Sequence, residues 1–166
     1  MEVKELTISM LVRNKPGVLS RVTGVFGRLG YNIESLCVAE TISPKISRIT
    51  SVTKADTDFI EKVRKQLERL VDVIEVHQLE RTDSVQREMI LIGIILTDEN
   101  RTAALQAVSV FGCKIISMKR DYCIVQVAGS KEEAQTALNF FKPLGVTQIA
   151  RTGAVALPRV EETSFS

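Results

Sequence analysis

The stretch Asn14-Lys-Pro-Gly-Val-Leu-Ser-Arg-Val22, with Arg28-Leu-Gly-Tyr-Asn-Ile-Glu-Ser-Leu36 behind it, decides how this chain folds. Ahead of it Leu6, Ile8, Met10 and Val12 alternate with Thr7, Ser9 and Arg13, the period-two pattern of a strand with one buried face. Behind Gly17 the apolar residues Val18, Leu19, Val22, Val25, Phe26 and Leu29 recur at helical spacing along one face. A strand therefore passes into a helix through a tight Asn-Lys-Pro-Gly turn.

Each residue of the turn has a physical use. Asn14 is expected to cap the helix, Pro16 fits a first turn where its missing donor costs nothing, and Gly17 lets a backbone or ligand come close. The helix start presents unpaired N–H groups and a partial positive charge, which suits a small carboxylate. Gly30 is expected to end the helix in a left-handed conformation, and Tyr31-Asn32-Ile33 to open a second strand.

Working outward, Pro44 breaks the chain and a third strand follows from Ile46 to Thr53. Asp56-Thr-Asp58 opens a second helix with Phe59, Ile60, Val63, Leu67, Leu70 and Val71 on its apolar face, and Val73 to Leu79 is a fourth strand. Residues 80–88 are polar, lack a period and read as a linker. The order then repeats. Met89 to Thr97 is a strand, and Asp98-Glu-Asn100 leads into a short helix carrying Ala104, Leu105, Val108 and Phe111. Two strands, 114–119 and 122–128, follow. Ser130-Lys-Glu-Glu133 has capping-box spacing before a helix with Ala134, Ala137, Leu138 and Phe141. A last strand runs over 146–150 and on towards Leu157. The expected division is 1–79, a linker 80–88, a second domain 89–158 and a frayed tail 159–166.

Two βαββαβ units in tandem define an α+β, ferredoxin-like class, both helices of each unit lying on one sheet face and the other face left open. Halves of this size bury little surface alone, so pairing with a second copy is the simplest completion.

Composition narrows the function. The 166 residues carry 22 basic against 20 acidic side chains, a near balance that argues against a dedicated nucleic-acid or anionic-membrane surface. Cys37, Cys113 and Cys123 show no Cys-x-x-Cys spacing and read as small core residues in a reduced compartment. No apolar run is long enough to span a bilayer, and a cytoplasmic soluble protein is expected. The single histidine, His77, sits in an alternating strand and reads as an ordinary strand residue. No metal-ligand spacing, P-loop, Gly-x-Gly-x-x-Gly or Gly-x-Ser-x-Gly is present, so the residues describe a binding module without visible catalytic machinery. Tyr31 and Tyr122 are too few and too far apart for a base-stacking platform.

Asn14-Lys-Pro-Gly17-Val-Leu-Ser-Arg-Val22, Gly30-Tyr-Asn-Ile-Glu-Ser-Leu36, Ser47-Arg-Ile-Thr50 and Gln66-Leu-Glu-Arg-Leu-Val-Asp-Val73 together resemble the small regulatory subunit of acetolactate synthase, also called acetohydroxyacid synthase. The first half resembles that family's amino-acid-binding ACT domain. Arg87-Glu-Met-Ile-Leu91 and Ala150-Arg-Thr-Gly-Ala-Val155 resemble the opening and close of its C-terminal domain.

The resemblance implies a homodimer whose ACT domains pair side by side, with valine or another branched-chain amino acid bound between them. It places Asn14, Lys15, Pro16, Gly17, Val18 and Leu19 at the effector, with Asn32 and Ile33 coming from the facing subunit. Lys15-Pro16 departs from the polar or small residues common in relatives, and Pro16 removes an amide donor. The implied partner is the catalytic large subunit, which in this family carries thiamine diphosphate, a divalent metal (Mg) and FAD. The chain itself is expected to hold no cofactor, to be no enzyme alone, and to activate that subunit while conferring feedback inhibition. An amino-acid-responsive transcriptional regulator, the alternative, would need a DNA-reading helix-turn-helix beyond these helices.

Overall fold

The computed structural model describes residues 3–160, except the side chain of Thr57. The chain forms two compact units. One is Met1–Gln86 together with Ala154–Ser166, and the other is Arg87–Gly153. The residues expected to fray, 159–166, lie outside the described region from 161 on, while the Arg159 N–H donates to the Asp83 carbonyl at 2.8 Å and is anchored.

In the first unit β1 (Lys4–Arg13), α1 (Val18–Arg28), β2 (Ile33–Glu40), β3 (Ile46–Ala55), α2 (Thr57–Leu67) and β4 (Val73–Leu79) follow in the expected order. The antiparallel sheet runs β2-β3-β1-β4, leaving β2 and β4 at its edges. Leu6, Ile8, Met10 and Val12 of β1 pack with Val22, Val25 and Phe26 of α1 and Phe59, Val63 and Leu67 of α2. Asp56 caps α2 by accepting the Phe59 N–H at 2.9 Å. Gly30, at φ +77, closes α1 as read from the sequence, and the Tyr31 N–H reaches back to the Phe26 carbonyl.

The second unit repeats the order with most of β5 (Ser84–Ile95), then α3 (Arg101–Val110), β6 (Lys114–Met118), β7 (Tyr122–Gly129), α4 (Lys131–Phe141) and β8 (Val146–Arg151). Its sheet runs β6-β7-β5-β8. Ile90, Ile92 and Ile94 of β5 meet Ala104 and Ala107 of α3 and Ala134, Ala137, Leu138 and Phe141 of α4. The capping box at Ser130 and Glu133 is present in both directions. Tyr122 lies across Gly93, where an added Cβ would stand 2.2 Å from its hydroxyl, and Gln148 donates to that hydroxyl at 2.8 Å.

Several boundaries differ from the sequence reading for identifiable reasons. Residues 84–88, read as linker, are strand; only 81–83 form a turn. The strand is hidden in sequence because Ser84 and Glu88 take buried positions despite being polar. Each has its partner: Ser84 donates to the Glu80 carbonyl and Glu88 accepts from Arg151. The final strand is interrupted at 152–154, and β9 (Val155–Pro158) pairs with β5 and falls in the first unit, not the second. Val71 lies beyond the end of α2 at 87% exposure, and Leu105 points outward while Ala107 fills the core.

The first sheet's second face is not open as expected. Thr7, Ser9, Thr50 and Val52 are buried on it; Gln86 accepts from Thr7, and Arg48 donates to Ser9 at 2.7 Å.

Candidate effector site

The β1–α1 turn emerges where the strand's hydrogen bonding stops. The Asn14 N–H still donates to the Lys45 carbonyl at 2.8 Å, and the chain then turns through Lys15 and Pro16 to Gly17. Gly17, not Asn14, is the N-cap of α1, with φ +82 and no side-chain cap. Only glycine adopts that backbone conformation without strain, which explains its place there. The Val18 N–H donates to the Lys15 carbonyl at 3.3 Å, the next N–H groups of α1 have no intrahelical acceptors by helix geometry, and no acidic side chain occupies the first turn. The helix start thus presents donors and a partial positive charge.

Asn14 does other work than capping. Its Nδ2 donates to the Pro44 carbonyl at 3.0 Å and to Glu40 Oε1 at 3.1 Å. Two acceptors on that side fix the amide's orientation, so Oδ1 faces away as an acceptor. Asn14 therefore ties the turn to the far end of β2 and the connection behind it.

The opposite flank is held by charge. Arg21 Nη2 donates to Asp72 Oδ2 at 2.6 Å, and Lys15 Nζ lies 3.9 Å from Asp72 Oδ1. The Arg13 N–H donates to the Asp72 carbonyl at 2.8 Å. Arg21 and Asp72 were not singled out from the sequence. A signal existed for Arg21, which stands one helical turn after Gly17, but its partner is 51 residues away.

Of the sequence-predicted residues, Asn14, Lys15, Pro16, Gly17, Val18 and Leu19 come together at this turn. Asn14 to Gly17 are exposed, Val18 is buried in the core, and Leu19 is part-exposed at 40%. Asn32 and Ile33 are not brought to them. They lie beyond the other end of α1, whose 11 residues span roughly 16 Å at helical rise. Asn32 is exposed, and its carbonyl accepts from Thr53 Oγ1 at 2.6 Å.

A cleft of about 260 Å³ lies elsewhere in the first unit, between α2 and the β4 edge, lined by Ile8, Ile60, Val63, Arg64, Val76, His77 and Gln78. None of the eight predicted residues lines it. His77 stands 3.3 Å from Glu75 in this strand. Among the described residues no group of three or more His, Cys, Asp or Glu side chains could hold a metal ion, and no helix is long and apolar enough to cross a membrane. The three cysteines are unpaired thiols, and burial raises the pKa of Cys113 and Cys123, which keeps them protonated and inert.

Residues 8–75 match the family described as the AHAS small subunit-like ACT domain, and residues 87–160 match the family described as the small subunit of acetolactate synthase. A probable acetolactate synthase small subunit of Archaeoglobus fulgidus is 39% identical over 92% of this chain and 96% of its own length. That of Methanothermobacter thermautotrophicus is 37% identical over 98% of both chains.

The chain belongs to the acetolactate synthase small-subunit family.

The crystal structure of the acetolactate synthase small subunit from Thermotoga maritima superposes with a TM-score of 0.88 at 37% identity, over 95% of this chain and 98% of that one. The fold is thus two βαββαβ units in tandem, the first an ACT domain. The β1–α1 turn lies within that ACT domain, as does the loop carrying Asp72.

Proposed function

We propose that this chain is the regulatory subunit of acetolactate synthase in branched-chain amino acid biosynthesis: it binds and activates the catalytic large subunit and makes it subject to feedback inhibition by valine. Leucine and isoleucine share valine's zwitterionic end and are the alternative effectors. In this reading catalysis, thiamine diphosphate, Mg and FAD all belong to the large subunit, and the chain works beside it in the cytoplasm without touching nucleic acid or membrane.

The observation that carries the reading is the turn at 14–19, exposed from Asn14 to Gly17 and held on both flanks. A zwitterion needs donors for its carboxylate, acceptors for its ammonium and a small apolar wall. The α1 start offers the first, Asn14 Oδ1 and turn carbonyls the second, and Leu19 part of the third. The remaining wall is supplied by a second copy. β2 is an edge strand, and Asn14 is bonded to Glu40 at its end, opposite in strand direction from Ile33. Antiparallel pairing of two β2 edges would set the Glu40 end of one against the Ile33 end of the other. The turn of each chain would then face Asn32 and Ile33 of its partner, completing two sites per homodimer and an eight-stranded sheet.

Regulation requires that valine favour one arrangement of the complex over another, and a coupling of about 1–3 kcal/mol suffices for the purpose. The test is the rate of pyruvate consumption by the purified large subunit, alone, with this chain, and with this chain plus valine. The expected result is a rise on adding the chain and a fall on adding valine, with none of either when the chain is assayed alone. A rate that this chain leaves unmoved would overturn the proposal.

A further inference from the structure

We infer that Asp72 is a positioning residue for the effector turn, acting through Arg21, Lys15 and the Arg13 amide; the inference rests on the effector reading above. Asp72 sits in the short connection between α2 and β4, with its side chain only 16% exposed. From there it touches the turn at three successive points. Its backbone carbonyl accepts from Arg13, the last residue of β1; its Oδ1 faces Lys15 inside the turn; its Oδ2 takes Arg21 in the first turn of α1. No other residue described spans the turn in this way on that flank.

The turn needs such a hold. Its centre is Pro16-Gly17, and Gly17 is both the N-cap and the residue type that loses most conformational freedom on being fixed. It has no side-chain cap to fix it. Arg21 closes over it instead, with Nη1 3.2 Å from where a Gly17 Cβ would stand. A charge-assisted bond of 2.6 Å to a mostly covered carboxylate sets that guanidinium in place. Asn14 braces the other flank through Glu40 and Pro44. The direction in which the α1 N–H groups point is therefore set jointly by Asn14 and Asp72. Lys15 is drawn towards Asp72, which places its charge at the turn's rim.

An ion pair with an exposed arginine contributes little to global stability, so the effect of Asp72 is expected in ligand affinity. The experiment is calorimetric titration of the full chain with valine, in wild type, Asp72→Asn, Arg21→Gln, the double variant and Asp72→Glu. Arg64→Gln, which breaks the Arg64–Glu68 pair of comparable exposure on α2, is the control.

Wild type binds, each single variant binds about tenfold more weakly, the loss expected of one charge-assisted contact, and the double variant is no weaker than the worse single. Asp72→Glu recovers most of the affinity, Arg64→Gln matches wild type, and all melting midpoints stay within a few degrees. Should Asp72→Asn fail to fold, Arg21→Gln at its exposed position reads the same pair. Wild-type affinity in both single variants, or losses that multiply in the double, overturns the positioning role while leaving the effector reading intact. A wild type that binds no branched-chain amino acid overturns the effector reading, and this inference with it.

Discussion

The turn that opens α1 and the turn that opens α3 occupy the same place in two copies of one architecture, and they are built to opposite ends. In the first unit the turn is Asn14-Lys15-Pro16-Gly17; its glycine takes the N-cap at φ +82, and its charged neighbours are Lys15 and Arg21. In the second it is Thr97-Asp98-Glu99-Asn100, and Asn100 takes the N-cap at φ −101. Asn100 is consumed by its own fold. Its Oδ1 accepts the Thr97 N–H at 2.8 Å, while Nδ2 donates to the carbonyls of Ile95 at 2.8 Å and Leu144 at 3.1 Å. Exposed Asp98 and Glu99 stand beside it, where their charge repels a carboxylate. Asn14, by contrast, spends only its nitrogen, and the turn itself holds no acidic residue, its Lys15 and Arg21 being paired with Asp72. A repeated fold thus carries two helix starts, one with a glycine N-cap and Lys15 and Arg21 held by Asp72, the other with an asparagine bound into its own fold beside Asp98 and Glu99. On the proposed function, the βαββαβ frame by itself does not make an effector site. One turn does.

The sharpest way to break this contrast is to make the first turn resemble the second. Gly17→Asp forces an L residue into the left-handed region and puts a carboxylate at the α1 start, against Arg21. Strain and repulsion of about 3 kcal/mol together would weaken valine binding roughly a hundredfold or more. Calorimetry checks it, and unimpaired binding would remove the turn from the site.

The converse change is Asn100→Ala. It strips partners from the Thr97 N–H and two carbonyls and should cost the second unit about 2–3 kcal/mol in urea unfolding. Valine affinity should not move. An equal loss of affinity in both variants would mean that the two turns are not specialised as described.

The smallest effect expected concerns the sheet beneath α1. Ser51 is fully buried on β3, and among the described residues its hydroxyl has no hydrogen-bond partner. Ser51→Ala removes an unsatisfied group and should leave stability unchanged or raise it by up to about 1 kcal/mol, read from the same urea curves. A clear loss of stability would mean that the hydroxyl has a partner in solution.

Much of this was legible in the residues, and the exceptions have physical causes. Periodicity found α1 and α4 with their core faces, because the apolar residues there are long, unbroken signals. Glycine chemistry found Gly30 as a left-handed helix end, whereas Gly17 was read as a point of close approach and its positive φ as N-cap came only from the structure. The strand at 84–88 was missed because its inward positions are filled by Ser84 and Glu88, whose burial is made possible by Glu80 and Arg151, one of them 63 residues away. The same limit hid Asp72. Local patterns show where a turn is, while the groups that hold it come from distant segments that only the fold brings near. Asn14 illustrates the middle case: it was singled out, but capping was the wrong role, because α1 starts at Val18 with Gly17 as its N-cap and the Asn14 amide instead bonds Glu40 and Pro44.

The central claim is that effector chemistry resides at the α1 start and is absent from the α3 start. Amide chemical shifts in the full chain, followed residue by residue as valine is added, test it most directly. The account predicts that the N–H signals of Gly17, Val18, Leu19, Ser20, Asn32 and Ile33 move together with one dissociation constant, while those of Arg101, Thr102 and Ala103 stay still. Movement centred on Arg101 to Ala103, or on Arg64, His77 and Gln78 around the α2–β4 cleft with the α1 start unmoved, would contradict it.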